Sequence, residues 1–113
     1  MILQGEIWWA DLGEPIGSEA GYLRPVAIVQ NDSINQSRAR TVICVPLTSN
    51  VDRAIIPGNV LLAANATGLD KDSVAITTLV VAVNKFALVE QVGKISQRQL
   101  HRIFAGLDIV LGR

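Results

Sequence analysis

The apolar run that follows Arg24-Pro25 constrains the fold of this chain more than any other feature. Residues 26–30, Val-Ala-Ile-Val-Gln, lack the alternation of a half-exposed strand and predict a β-strand buried on both faces. Proline fixes its own φ and holds the residue before it in extended conformations, so Arg24 is pre-set in direction. A loop with three glycines, residues 13–22, comes before the strand. The sequence thus puts one permanent positive charge at the mouth of a rigid element, under a flap, as a site for phosphate requires.

The rest of the chain predicts short strands and one terminal helix. Further strands are predicted at 5–12, 41–47, 60–62, 73–76, 79–83 and 89–95, and loops at 31–37, 48–58 and 65–72. Ser96 is a good N-cap, Gln99 completes a capping-box pattern, and Gly112 is a plausible stop. The apolar helix face comprises Leu100, Ile103, Phe104, Leu107, Val110 and Leu111. We predict a single β-rich α+β domain over 1–113: a small antiparallel barrel with a C-terminal helix.

Composition narrows the classes of partner. The chain has 113 residues, of which 50% are hydrophobic, so some apolar surface is expected to lie against a second copy in a homodimer. Ten basic residues balance ten acidic ones, which argues against an indiscriminate nucleic-acid coat. We expect no signal peptide and no membrane span, and therefore a reducing cytoplasm.

The cysteine and histidine content argues against a metal site, a thiol nucleophile or a cofactor. One cysteine and one histidine cannot form a zinc site, and no glycine-rich nucleotide cradle is present. Cys44 lies in an apolar run and is expected to be a small buried hydrophobe. His101 lies at the edge of the apolar helix face and is expected to be structural. A nuclease built on this chain would lack a histidine pair for proton transfer.

Thr48 is the second candidate site residue beside Arg24. It follows a buried strand directly, and its hydroxyl can bond a phosphate oxygen or orient a ribose 2′-OH. If strands 26–30 and 41–47 are antiparallel neighbours, the start of one lies beside the end of the other, and Arg24 and Thr48 meet at one sheet edge. Three alternatives remain open: Arg24 caps a strand, Thr48 marks a turn, and Glu19 of the flap faces water rather than accepting a proton.

Four segments, taken in order, resemble the MazF/PemK-like toxins. They are Gly5-Glu6-Ile7-Trp8; Gly17-Ser18-Glu19 with residues 24–32, Arg-Pro-Val-Ala-Ile-Val-Gln-Asn-Asp; residues 45–49, Val-Pro-Leu-Thr-Ser; and residues 90–96, Glu-Gln-Val-Gly-Lys-Ile-Ser. The resemblance covers about residues 5–105. It implies an SH3-like or CcdB-like β-barrel with added helices, working as a homodimer.

The resemblance also implies an activity. Such toxins are metal-independent endoribonucleases that cut single-stranded RNA, usually mRNA, at short sequences. A cognate antitoxin with an acidic, largely disordered C-terminal tail inhibits them by occupying the RNA groove. The family's arginine and threonine fall on Arg24 and Thr48, and its loop glutamate on Glu19. RNA-binding positions are expected at Ser18, Gly21, Tyr22, Pro25, Gln30, Asn31, Ser49 and Asn50.

The chemistry that this implies is attack of the substrate's 2′-OH on its own phosphorus, with Arg24 stabilising the phosphorane. Two other functions remain as alternatives. A CcdB-like gyrase poison depends on a tryptophan near the C-terminus, whereas Trp8 and Trp9 both lie in the first predicted strand. The second is a silent module that binds RNA or antitoxin, in which Arg24 and Thr48 bind phosphate without cutting.

Overall fold

The second strand lies at the centre of a seven-stranded antiparallel sheet in the computed structural model, which describes residues 1–14, 17 and 22–113. The strands are β1 (Glu6–Asp11), β2 (Leu23–Ile28), β3 (Thr41–Thr48), β4 (Val60–Leu62), β5 (Ser73–Ala75), β6 (Val81–Asn84) and β7 (Leu88–Lys94). The helices are α1 (Asp32–Asn35), α2 (Ala64–Thr67) and α3 (Gln97–Leu111). Single 3₁₀ turns span Val51–Ile55, Thr77–Leu79 and Lys85–Ala87.

The sheet curls because β3 is shared between two sets of neighbours. Its strand order is β4-β5-β3-β2-β1-β7, and β6 pairs with β3 outside this path. Thr41 to Cys44 of β3 face β6, whereas Leu47 and Thr48 face β5. The predicted class, a small antiparallel barrel with a C-terminal helix, is confirmed in the form of a curled half-barrel.

Strand β2 is buried on both faces, as its unbroken apolar run predicts. Ala27 and, just beyond the end of the strand, Val29 belong to the larger core cluster, which lies between the sheet and α3. Val26 and Ile28 belong to a second cluster on the other face, with Cys44. Two cores on one strand explain why the sequence shows no alternation there.

Helix α3 begins and ends as predicted. The Ser96 side chain accepts a hydrogen bond from the Gln99 backbone N–H at 3.2 Å, and Gly112 ends the helix in the left-handed conformation. The Gln99 side chain accepts from Arg102 instead of returning to Ser96, so only half of the capping box forms. Leu111, predicted on the core face, is 61% exposed because it lies in the last turn, beyond the last buried residue of the helix.

Helices α1 and α2 and the turn at Val51–Ile55 lie in segments predicted as loops. Each is short, and a polar side chain accepts a hydrogen bond from a backbone N–H at its start. Asn31 accepts from the Ser33 N–H, Asn50 from the Asp52 N–H, and Asp72 from the Ala64 N–H. Such caps satisfy backbone donors at a helix start, so turn-forming residues build helices too short for a periodic pattern to reveal.

The contact between α3 and the chain at Gly58 permits no side chain. A Cβ placed on Gly106 would collide with the Gly58 carbonyl oxygen and lie 3.1 Å from the Thr77 Cγ2. We expect Gly106→Ala to destabilise the protein by about 1–3 kcal/mol through overpacking, although alanine favours an isolated helix by about 1 kcal/mol. Urea unfolding of both proteins measures this difference.

The exposed neighbour Ala105 provides the control. We expect Ala105→Gly to cost about 1 kcal/mol from helix propensity alone. A Gly106→Ala protein as stable as the wild type, or more stable, would contradict the close approach.

Candidate functional site

A groove of about 560 Å³ opens where β2 begins and β3 ends. Four strands contribute to it, β1, the start of β2, the end of β3 and the start of β5, together with the segment that leads into β5. Its lining residues are Trp9, Tyr22, Leu23, Arg24, Pro25, Leu47, Thr48, Ser49, Leu69, Asp70, Lys71 and Ser73.

Arg24 and Thr48 meet in this groove because of the register between β2 and β3. Val26 pairs with Pro46 and Ala27 with Val45 in antiparallel register. Continuing that register by two residues in each direction sets Arg24 opposite Thr48. Arg24 pairs with Ala10 of β1, so its backbone is part of the sheet. Arg24 is half-buried, and its side chain extends from a position that pairing with β1 fixes.

The Thr48 hydroxyl is oriented by the turn that follows it. Its oxygen accepts a hydrogen bond from the Asn50 backbone N–H at 3.2 Å. A hydroxyl that accepts from the protein keeps its own proton for another acceptor, such as a phosphate oxygen. Ser49 also lines the groove, whereas the Asn50 side chain caps the Val51–Ile55 turn and does not line the groove.

Tyr22 adopts a backbone conformation that a bulky residue rarely occupies. Its φ is 57°, in the left-handed region, while its N–H donates to the Gly13 carbonyl and its carbonyl accepts from the Leu12 N–H. Those two bonds hold the conformation in place. The side chain is 63% exposed and lines the groove next to Arg24. Strain held by its surroundings is typical of residues that a site needs in one direction.

Gln30 and Asn31, predicted to bind RNA, do not line the groove. The Gln30 side chain is buried, donates to the Asn35 Oδ1 at 2.9 Å and accepts from the Ile43 N–H at 3.2 Å. Asn31 caps α1. The Gln30 side chain thus connects α1 to the sheet, and Lys85 adds a second link by donating to the Asn35 carbonyl at 2.8 Å.

Three further predicted positions, Glu19, Ser18 and Gly21, lie outside the described residues. The groove also contains residues that the sequence reasoning missed. Trp9 pairs with Pro25. Because neighbouring residues of a strand face opposite sides of the sheet, the pair Trp8-Trp9 indicates that one of the two indole rings lies on the groove side. Asp70 and Lys71 reach the groove through the pairing of β5 with β3, which no local pattern reveals.

The charge of the groove is nearly balanced. Its described lining includes two basic side chains, Arg24 and Lys71, and one acidic side chain, Asp70. Attraction to phosphates alone would therefore be weak, and a nucleic acid bound here would need contacts to its bases as well.

Groups elsewhere in the described chain add no second reactive centre. Burial raises the pKa of the Cys44 thiol from 9.0 to about 12, because the interior disfavours the thiolate. His101 is exposed, and its ring contacts Phe104 at a centroid distance of 6.3 Å. Within residues 1–14, 17 and 22–113 no three or more His, Cys, Asp or Glu residues cluster closely enough to hold a metal ion. None of the described helices combines the length and the apolar character needed to cross a membrane.

Comparison with known proteins identifies the family. The model of the PemK-like, MazF-like toxins of type II toxin–antitoxin systems matches residues 3–111. The chain is 44% identical over 111 residues to the endoribonuclease MazF6 of Mycobacterium tuberculosis, spanning 98% of this chain and 97% of that protein. It is 35% identical over 112 residues to the endoribonuclease MazF of Staphylococcus saprophyticus, spanning 99% and 92%. The chain belongs to the PemK-like, MazF-like toxin family, as its motifs predicted.

Solved structures confirm the fold independently. MazF from Deinococcus radiodurans superposes with a TM-score of 0.84 at 19% identity, over 99% of this chain and 97% of that one. A mycobacterial endoribonuclease in complex with its cognate antitoxin superposes with a TM-score of 0.80 at 24% identity, over 99% and 96%.

The reactivity of the Cys44 thiol tests whether the second core cluster is closed to solvent. We expect Ellman's reagent to react very slowly with the native protein at mildly alkaline pH, because the reacting species is the thiolate and burial suppresses it. The same protein unfolded in guanidinium should rapidly release one equivalent of thionitrobenzoate per chain. Rapid reaction without denaturant would show that Cys44 is accessible and ionised in the fold.

Proposed function

We propose that this protein is the toxin of a toxin–antitoxin module and cuts single-stranded RNA, chiefly mRNA, at a short sequence without a metal ion. The observation that carries the proposal is the register that brings Arg24 and Thr48 to one groove. Support also comes from two endoribonucleases that are 44% and 35% identical to this chain over nearly its whole length.

The proposed reaction uses a nucleophile that the RNA itself supplies. The 2′-oxygen attacks the adjacent phosphorus, a bond forms between them, and the bond from phosphorus to the 5′-oxygen breaks. The products are a 2′,3′-cyclic phosphate and a 5′-OH. The 2′-OH loses a proton and the leaving 5′-oxygen gains one, so the reaction is balanced without an external reagent.

Arg24 is proposed to stabilise the phosphorane, whose charge exceeds that of the bound phosphate. Pairing with β1 holds its backbone, so little reorganisation is needed as this charge develops. A guanidinium group also matches two phosphate oxygens at once. The Thr48 hydroxyl, oriented by the Asn50 N–H, is proposed to donate to a phosphate oxygen or to position the 2′-OH.

Glu19 is proposed as the proton acceptor, with Ser18 and Gly21 beside the RNA in the same loop. Tyr22, Pro25 and Ser49 line the groove and are proposed as RNA contacts, with Tyr22 stacking on a base. Asn50 is proposed to support Thr48 through its backbone, and we assign Gln30 and Asn31 to the fold.

Two protein partners complete the proposal. Solved relatives include a mycobacterial endoribonuclease with its cognate antitoxin and a MazE–MazF complex, and we propose a cognate antitoxin with an acidic C-terminal tail here. A homodimer is proposed to bury part of the exposed apolar surface. That surface includes Ile43, Ile55, Phe86, Val89, Ile109 and Leu111. Because the proposed substrate is mRNA, we also propose that the protein acts in the cytoplasm.

Removing the Arg24 guanidinium tests the catalytic assignment. We expect Arg24→Ala to lower kcat by roughly 10²–10³-fold, the range seen when one transition-state donor is lost. Cleavage of a long single-stranded RNA, with the chemistry of the new 5′ ends determined, measures the effect. Arg38, exposed and outside the groove, is the matched control, and Arg38→Ala should cut normally.

Full activity of a folded Arg24→Ala protein would refute the assignment. A wild-type protein that binds the RNA and leaves it intact would favour the silent binding module. Cleavage by the wild type with ordinary 3′-OH ends would refute 2′-OH attack.

A single missing hydroxyl tests the nucleophile. We expect a substrate with one 2′-deoxy nucleotide, on the 5′ side of the cut, to be bound and not cut. The same substitution one nucleotide further away should leave the rate nearly unchanged. Gel analysis of both substrates measures the difference, and cutting of the first at the normal rate would exclude the proposed mechanism.

A further inference from the structure

The tip between α2 and β5 brings two opposite charges into the groove that the fold does not use. Asp70 and Lys71 are exposed and line the groove. Neither charged group has a hydrogen bond or ion pair to another described residue. The next carboxylate, Asp72, instead accepts from the Ala64 N–H at 2.9 Å and caps α2. The two carboxylates on either side of Lys71 therefore differ: Asp72 holds the loop to α2, and Asp70 lines the groove.

The segment is anchored on both sides of this tip. Gly68 is left-handed with φ of 84°, and a Cβ placed on it would collide with the Val92 carbonyl oxygen. A Cβ on Gly93 would likewise collide with the Thr67 carbonyl oxygen, so the end of α2 lies directly against β7. The Leu69 N–H donates to the Thr67 Oγ1 at 3.1 Å, and the Leu69 side chain packs on the larger core. A tip held in this way presents its charges in a fixed direction, as a selective contact requires.

A carboxylate in a groove for RNA selects what it can bind. It only accepts hydrogen bonds, and it repels phosphates. Bases of single-stranded RNA expose their Watson–Crick edges, where cytosine, adenine and guanine each carry an exocyclic amino donor. Uracil instead has two carbonyl oxygens there around a single N–H. An acceptor-only side chain therefore discriminates against uracil.

We propose that Asp70 determines specificity: at one position near the cut it accepts a hydrogen bond from the exocyclic amino group of a base and disfavours uracil. Lys71 binds the neighbouring phosphate. This inference rests on the proposed endoribonuclease function and deepens it. It also explains how a groove of nearly balanced charge retains its substrate, since part of the binding comes from a base.

Cleavage of an RNA pool randomised around the cut tests the proposal. We expect the wild type to leave uracil depleted at one position among cut molecules. Asp70→Asn supplies a donor as well as an acceptor, and it should raise the share of uracil at that position by about tenfold, the order expected of one base contact. Asp72→Asn removes the same charge outside the groove and retains a capping oxygen, so it should keep the wild-type preferences.

The lysine variant separates a phosphate contact from a base contact. We expect Lys71→Met to raise KM for all sequences by a similar factor, to leave base preferences unchanged, and to reduce the slope of log affinity against log salt by about 0.7. Lys94→Met, on β7 outside the groove, is the control.

The outcomes distinguish this inference from the function on which it rests. If the wild type cuts RNA and Asp70→Asn keeps its base preferences at every position, the inference is wrong and the proposed function stands. A uniform increase in cutting of all sequences by Asp70→Asn would mean that Asp70 only repels phosphate, and would also overturn it. If the wild type cuts no RNA, both fall.

Discussion

The pairing of β2 with its two neighbours is the constraint on which the rest of this structure depends. β2 lies between β1 and β3, and its side chains enter a core on each face of the sheet. Because side chains alternate along a strand, a slip of one residue would exchange the two sets of core contacts. The register is therefore fixed by burial. Arg24 and Thr48 inherit that register, so the hydrophobic cores align the two polar groups of the groove.

Polar residues near the strand ends serve one of two purposes, and their hydrogen bonds tell them apart. The side chains of Gln30, Asn35 and Asp72 form hydrogen bonds that hold the short helices α1 and α2 to neighbouring segments of the chain. Thr48 accepts one bond from the turn and keeps its proton. The charged groups of Asp70 and Lys71 bond to no other described residue, and both residues line the groove. Residue type alone does not distinguish these purposes, since an aspartate serves each of them within three positions.

The sequence predicts the parts of this molecule that local patterns determine. The apolar run after Pro25 and the capped face of α3 are regular enough to show their burial directly. The meeting of Arg24 and Thr48 also follows, because adjacent antiparallel strands bring those ends together. The family resemblance implies RNA contacts for Gln30 and Asn31, but the Gln30 side chain bonds to Asn35, Thr41 and Ile43, which no local pattern reveals. Asp70 was missed because its place depends on β5 pairing with β3.

The composition of the groove has a consequence for the order in which the chain is made. Its walls come from β1, β2, β3 and the segment that leads into β5, so no early fragment of the chain contains the whole groove. Helix α3, which contributes Leu100 and Ile103 to the larger core, follows all of these strands in the chain. A fragment of the chain that ends before β5 therefore lacks one wall of the groove.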